Sequence, residues 1–180
     1  MAAIMGASDE QIAQLCVEAA GGEVLAPANF NAPGQTVIAG TRAAVDRAVE
    51  LSKTLKLKAV LLKVSAPFHC SLMAPAATSV ARCLDASTLN EPRFPVVANV
   101  DARPNAAKDR IADLLVRQVD SPVRWHASVQ AIADAGVTRA LEIGPGKVLA
   151  GLVKRIDKRL SVHSVNDQES VEKTAEFLAS

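Results

Sequence analysis

Tyrosine is missing from this chain of 180 residues, and aromatic side chains make up only 3% of it. Any core must therefore be aliphatic, packed from Ala, Val, Leu and Ile. A strong charge of one sign is missing too. The net charge is +1, which offers no broad basic field to a phosphate backbone, so no nucleic-acid partner is expected. A small basic patch for an acidic or phosphorylated partner stays compatible with that balance. The three cysteines, Cys16, Cys70 and Cys83, are an odd number at unrelated spacings. Neither a disulfide framework nor a metal-ligand pattern emerges, and a reducing, cytoplasmic setting is favoured. No apolar run approaches a membrane span, so no membrane association is expected, and no secretory signal is visible in the first residues. Two catalytic signatures are also missing: the G-x-S-x-G nucleophile elbow and the G-x-x-x-x-G-K-[ST] phosphate loop.

What is present is the make-up of a folded protein. Hydrophobic residues account for 49% and charged residues for 22%, with length for one ordinary domain or two small subdomains. Residues 1–64 read as β-α-β-β-α-β. Ala2 to Met5 is a short strand. Ser8 caps a helix with Gln11 completing a capping box, Ile12, Leu15, Cys16 and Ala19 form its apolar stripe, and Gly21-Gly22 ends it. Strands at Val24 to Phe30 and Thr36 to Ala39 flank Ala32-Pro33-Gly34-Gln35, a type II turn pattern. Thr41 starts a second helix with Val45, Ala48, Val49 and Leu55 inward, and Ala59 to Val64 is the fourth strand. Two helices on one face of a four-stranded antiparallel sheet is a ferredoxin-like subdomain.

Residues 65–180 change rhythm. Helices are expected at Leu72 to Leu84, Ala107 to Gln118, Arg124 to Ala135, Lys147 to Ile156 and Ser170 to Leu178, with strands at Val96 to Val100, Ala140 to Ile143 and Ser161 to Val165. Such alternation predicts a mostly parallel sheet. The hinge between the two parts is expected near Ser65 to Pro67.

The segment Val64-Ser65-Ala66-Pro67-Phe68-His69-Cys70-Ser71-Leu72-Met73 places a histidine just past a strand, where α/β proteins keep their chemistry. An arbitrary histidine is most often simply packed. Here Pro67 stiffens the approach, Ser71 is placed to cap the next helix, and Phe68, Leu72 and Met73 are expected to wall the imidazole and hold it neutral as a base. Gln118 follows Ile111, Leu114 and Leu115 at helical spacing. It reads equally as a polar residue ending a buried helix or as the source of a last-turn carbonyl that needs a donor. A histidine Nδ1–H would satisfy that carbonyl and leave Nε2 free as a base, as the aspartate does in a serine triad. Gly144-Pro145-Gly146 lies between a strand and a helix and by itself signals only a close turn. Cys70, beside His69, offers a Cys–His pair as a different transfer chemistry, although a free cysteine is usually a small core residue.

Taken in order, several segments resemble one family. They are Pro27-Ala28-Asn29-Phe30-Asn31-Ala32-Pro33-Gly34-Gln35 with Val37-Ile38-Ala39-Gly40, then Val64 to Met73, Val116-Arg117-Gln118 through Pro122-Val123-Arg124-Trp125, and Glu142-Ile143-Gly144-Pro145-Gly146-Lys147-Val148-Leu149 with Gly151-Leu152. The chain is similar to malonyl-CoA:acyl carrier protein transacylases over essentially its whole length. The resemblance implies an α/β fold in which a ferredoxin-like subdomain joins an α/β-hydrolase-like acyltransferase body, of which residues 65–180 would be the C-terminal portion. It implies malonyl transfer from coenzyme A to the phosphopantetheine thiol of acyl carrier protein, with no resident cofactor. His69 would be the catalytic base and the Gln118 carbonyl its orienting group. Asn29, Asn31 and Gln35 would face the acyl-CoA cleft, and Phe68 would bear on acyl choice. The family's serine elbow, its malonate-binding arginine and an oxyanion glutamine are not found here. The chain is thus expected to be a C-terminal fragment, inactive alone, whose partners include the missing N-terminal part of the same enzyme. A non-catalytic docking module derived from such an enzyme is the competing expectation.

Overall fold

The computed structural model describes residues 1–179 and divides into two compact units, Met1–Trp125 and a second from His126 onward. No helix among the described residues is long and apolar enough to cross a membrane.

The first unit begins with β1 (Ala2–Met5), α1 (Asp9–Ala20), β2 (Leu25–Ala32), β3 (Gln35–Gly40), α2 (Arg42–Thr54) and β4 (Lys58–Leu61). The strands form one antiparallel sheet in the order β2-β3-β1-β4, the ferredoxin-like arrangement. Local chemistry sets its boundaries. Ser8 and Gln11 exchange backbone and side-chain bonds in a capping box, and Gly21 ends α1 at φ 56°. Gly34 takes φ 70° in the β2–β3 turn, as a type II turn requires at that position. Arg47 reaches from α2 to the last carbonyls of α1, with Nε donating to Ala19 O at 2.7 Å, and so closes the helix end that lacks basic residues of its own.

Strand alternation divides the core between the two sheet faces. On one face, Ala2, Ile4 and Ile38 pack with Ile12, Leu15, Cys16 and Ala19 of α1 and Val45 and Ala48 of α2. Each fully buried Ile or Leu contributes roughly 1.5–3 kcal/mol. On the other face, Ala28 and Ala39 pack against Cys70, with Met1 and Val24 at the margin. The alanines on that face leave room for the His69–Cys70 turn to lie on the sheet. Leu55, expected inward, is 51% exposed. The helix stops one residue earlier, Lys56 turns the chain at φ 56° with bonds from Lys56 N to Lys53 O and Leu57 N to Ser52 O, and Leu57 packs on the core instead.

The same unit continues through a 3₁₀ turn at Ser71–Met73, α3 (Ala74–Asp85), β5 (Val96–Ala98), β6 (Arg103–Asn105), a second 3₁₀ turn at Lys108–Arg110 and α4 (Ile111–Asp120). The expected strand from Val96 to Val100 is shorter and folds back as an antiparallel hairpin with β6. Ser71 does not cap α3; it opens the 3₁₀ turn, and Met73 precedes the helix with no side-chain cap bond.

The second unit holds α5 (Trp125–Asp134, starting at the boundary residue), β7 (Arg139–Ile143), α6 (Val148–Ile156), β8 (Ser161–Val165), α7 (Gln168–Glu172) and α8 (Thr174–Ala179). β7 and β8 are parallel, with Leu141 opposite His163, and α6 is their crossover. The single last helix expected from Ser170 is two short helices, with a capping box at Asp167 and Ser170. The mostly parallel sheet expected in residues 65–180 is corrected: among the described residues β5–β6 is antiparallel, and the parallel pairings are β7–β8 and an isolated bridge between Asn29 and Val123. Strand–helix alternation predicts parallel neighbours only when both strands lie in one sheet, and β5 instead turns directly into β6.

Candidate functional site

β4 and the backbone bond from Leu62 N to Met1 O at 3.0 Å carry the chain to the edge of the sheet. Pro67 then leads into a tight turn in which His69 adopts φ 60°. A non-glycine residue in this left-handed region costs on the order of 1 kcal/mol, and histidine is among the side chains that tolerate it best. The turn is held from both sides. The Cys70 thiol donates to Pro67 O at 3.1 Å, and Met73 N donates to Cys70 O at 2.9 Å.

His69 Nδ1–H donates to the backbone carbonyl of Gln118 at 2.9 Å. That carbonyl lies in the last turn of α4, where no intrahelical donor is available. A carbonyl only accepts, so a proton sits on Nδ1, and the tautomer this bond selects carries its lone pair on Nε2. His69 and Gln118 are both half-buried. The expected apolar wall is more open than the sequence implies: Phe68 is 39% and Leu72 38% exposed, with Met73 half-buried.

A backbone stitch positions the end of α4. Phe30 N donates to Val123 O at 2.9 Å, Val123 N to Ala28 O at 2.8 Å, and Arg124 N to Asn99 O at 2.9 Å. The segment after Gln118 is thereby an added parallel rung on β2, bridged at Asn29. Asn29, Asn31 and Gln35 are half-buried on β2 and β3, with Gln35 opposite Ala32 at the hairpin mouth. The structure thus joins His69 to Gln118 by a direct bond and ties Asn29 to the segment following α4. Asn31 and Gln35 lie farther along the same hairpin. A cleft of about 480 Å³ runs beside the turn, from Gly40 and Arg42 past Lys63 to Ser65 and Pro67.

Cys70 is 2% exposed, and burial pushes its thiol pKa up, against the smaller opposing pull of a backbone bond. A protonated, buried thiol that already donates to Pro67 is poorly suited to nucleophilic attack.

In the second unit the Gly144-Pro145-Gly146 loop, with Gly144 at φ 131° and Gly146 at φ 93°, lets Glu142 reach the start of α6. Its carboxylate accepts from Leu149 N and Ala150 N, both at 2.9 Å, and from Ser164 Oγ at 3.2 Å. Those amides are the ones an N-cap side chain would serve, and Lys147 at the cap has no oxygen to offer. The sequence reading missed this role; the available signal was an acidic residue before a glycine loop and a helix without its own cap. Burial raises the Glu142 pKa, but the bonds from Ala150, Leu149 and Ser164 outweigh it and hold the carboxyl below its usual value. A depressed folded-state pKa gives stability that is present above the unfolded pKa and lost as pH falls through the folded one. Glu142→Gln is expected to lower stability by about 1 kcal/mol at pH 7 and to flatten the loss on acidification below about pH 4.5. Urea unfolding across pH 3 to 7 tests it, and an unchanged acid slope in the variant would rule out this role.

The Acyl transferase domain profile matches residues 1–174. A malonyl CoA-acyl carrier protein transacylase of Escherichia coli is 48% identical over 172 residues, covering 95% of this chain and 56% of the relative. The crystal structure of malonyl-CoA:acyl carrier protein transacylase from Xanthomonas oryzae pv. oryzae superposes with a TM-score of 0.94 at 45% identity, covering 98% of this chain and 56% of that one. A malonyl-transacylase solved in complex with its type II polyketide acyl-carrier protein gives a TM-score of 0.94 at 45% identity over 98% of this chain and 57% of that one. The chain therefore spans little more than half the length of these relatives, and over its own length it has their acyltransferase fold. By the profile match along nearly all of its sequence, the chain belongs to the acyl transferase domain family.

Proposed function

We propose that this chain supplies the general-base half of a malonyl transferase that moves malonyl from coenzyme A to the phosphopantetheine thiol of acyl carrier protein. The observation that carries the proposal is the bond from His69 Nδ1–H to Gln118 O at 2.9 Å, which leaves Nε2 free to accept a proton. The nucleophile, a serine in a G-x-S-x-G elbow, is not among these 180 residues and comes from polypeptide outside them. Nε2 takes the serine proton as its oxygen attacks the malonyl thioester, then returns that proton to the departing coenzyme A thiolate. In the second half, Nε2 deprotonates the incoming phosphopantetheine thiol, which attacks the malonyl–serine ester, and the proton goes back to the serine. Asn29, Asn31 and Gln35 line the approach of the pantetheine arm, and Phe68 bears on which acyl group is accepted. No resident metal or cofactor takes part; the phosphopantetheine arrives on the partner.

The absence of the elbow from the sequence favours a second reading, a docking module for acyl carrier protein without chemistry of its own. One assay separates the two: transfer of labelled malonyl from coenzyme A to holo acyl carrier protein, by the chain alone and by the chain co-expressed with the part of the Escherichia coli relative that it does not match. The transferase reading expects no turnover alone and turnover on complementation. Turnover by the chain alone would overturn the division of labour and reopen Cys70 as nucleophile. A folded, complemented complex that binds carrier protein yet transfers nothing would leave the docking module.

A further inference from the structure

The His69 turn is unusual in being strained at the residue that matters and pinned at the one after it. His69 sits at φ 60°, half-buried, and nothing in its own backbone conformation favours that state. Cys70 does the holding. It is buried at 2% exposure, seated among Ala28 and Ala39 on the sheet face away from the helices. Its thiol reaches back across His69 to donate to Pro67 O at 3.1 Å, and its carbonyl accepts from Met73 N at 2.9 Å. Three contacts thus fix the residues on either side of His69, and the imidazole can then meet only what the turn aims it at, the Gln118 carbonyl at 2.9 Å.

We propose that Cys70 is the positioning residue of His69: seated in the alanine-lined face of the sheet, its S–H bond to Pro67 closes the turn that holds the His69 ring in register with Gln118. The two small residues opposite it belong to the same device, because larger side chains at Ala28 or Ala39 would lift the turn off the sheet. Burial keeps the thiol protonated, so the donor is present through neutral pH. The consequence for the proposed transfer reaction rests on His69 being its base; the positioning itself does not.

The test compares Cys70→Ser, which keeps a donor able to reach Pro67 O, with Cys70→Ala, which keeps an apolar side chain that suits its alanine neighbours. Imidazole ¹⁵N spectra of the 180-residue chain read the His69 tautomer and the Nδ1–H, and urea unfolding reads global stability in parallel. Cys70→Ala is expected to lose the single Nδ1–H tautomer and to exchange that proton about tenfold faster, while Cys70→Ser retains both even if it unfolds more easily. Packing alone predicts the reverse order, since burying a hydroxyl costs more than a small void beside alanines. If Cys70→Ala does not fold, Cys70→Val, apolar and close in size, takes its place with the same expectation. A wild-type Nδ1–H signal in Cys70→Ala or Cys70→Val, or its equal loss in Cys70→Ser, overturns the proposal. A complemented enzyme that is indifferent to His69→Ala, with the Cys70 spectra behaving as expected, would instead sink the transferase reading and leave the positioning intact.

Discussion

His69→Ala, introduced into the chain complemented to a working transferase, is expected to slow malonyl transfer by about 10²–10⁴-fold, the range for loss of a general base. In free-energy terms that is roughly 3–5.5 kcal/mol of barrier. The loss should fall on kcat, because in the proposed reaction the imidazole assists proton transfers in both halves and does little to hold the ground-state thioester. The effect on folding should be small beside that on rate, although alanine suits the φ of 60° less well than histidine. The ring is half-buried and its removal breaks one hydrogen bond, to Gln118 O, worth about 1 kcal/mol. Single-turnover acylation and the subsequent transfer to carrier protein should therefore both slow by orders of magnitude while the unfolding midpoint falls by only about 2–4 °C per kcal/mol lost. A loss of only about twofold would return His69 to an ordinary packed histidine with an unusual backbone.

Much of the first sheet was legible because its signals are local. Ser8 with Gln11, Pro33 before Gly34, and Thr41 before Val45 and Ala48 each state a boundary through bonds made within a few residues, and the structure contains those caps and that turn. The misses come from pairings made at a distance. β6 is Arg103-Pro104-Asn105, polar and interrupted by proline, and only its pairing with β5 makes it a strand. The expectation of a mostly parallel sheet failed at the same place. Val96 to Val100 looks like a central strand, yet Ala102 turns the chain at φ 56°, a conformation that sequence leads one to expect of glycine or asparagine.

Around His69 the position of the histidine and the need of the Gln118 carbonyl for a donor could both be read from the sequence, and the resemblance joined them. What could not be read is how they are brought together. The Val123 rung on β2 has no sequence signature, since a single added bridge uses backbone atoms alone. Nor does a Phe-His-Cys run announce that the histidine is left-handed, or that the cysteine beside it faces an alanine-floored sheet. Glu142 is a similar case in the second unit: a carboxylate closing a helix across a glycine loop is visible only once the loop is folded.

Gly40→Ala is expected to cost about 3 kcal/mol or more, at the upper end of the overpacking range, although the backbone there is ordinary and the change is a single methyl. The reason is how closely two strands approach. A Cβ on Gly40 would lie 2.1 Å from Val24 O and 2.8 Å from Leu25 Cα, contacts that no rotamer can relieve because they are to backbone. Nor is Val24 O free to retreat. It already accepts from Thr41 N at 2.9 Å, and Thr41 is the N-cap of α2 through its bond to Ala44 N. Making room therefore means moving β2 away from β3, loosening the α2 cap, or both. Moving β2 carries the effect further, because its other edge bonds Val123 through Ala28 and Phe30, and that rung fixes the chain leaving α4. Thermal unfolding should show a drop in Tm of roughly 6–12 °C for a chain of this size. The His69 Nδ1–H resonance should broaden in the surviving folded fraction, as the Gln118 carbonyl loses its fixed place. A Tm within about 2 °C of the parent would mean that the two strands part at little cost. In that event the β2–β3 contact could not be what holds the segment after α4, and the path from the sheet to the His69–Gln118 bond would have to run through the Cys70 turn alone.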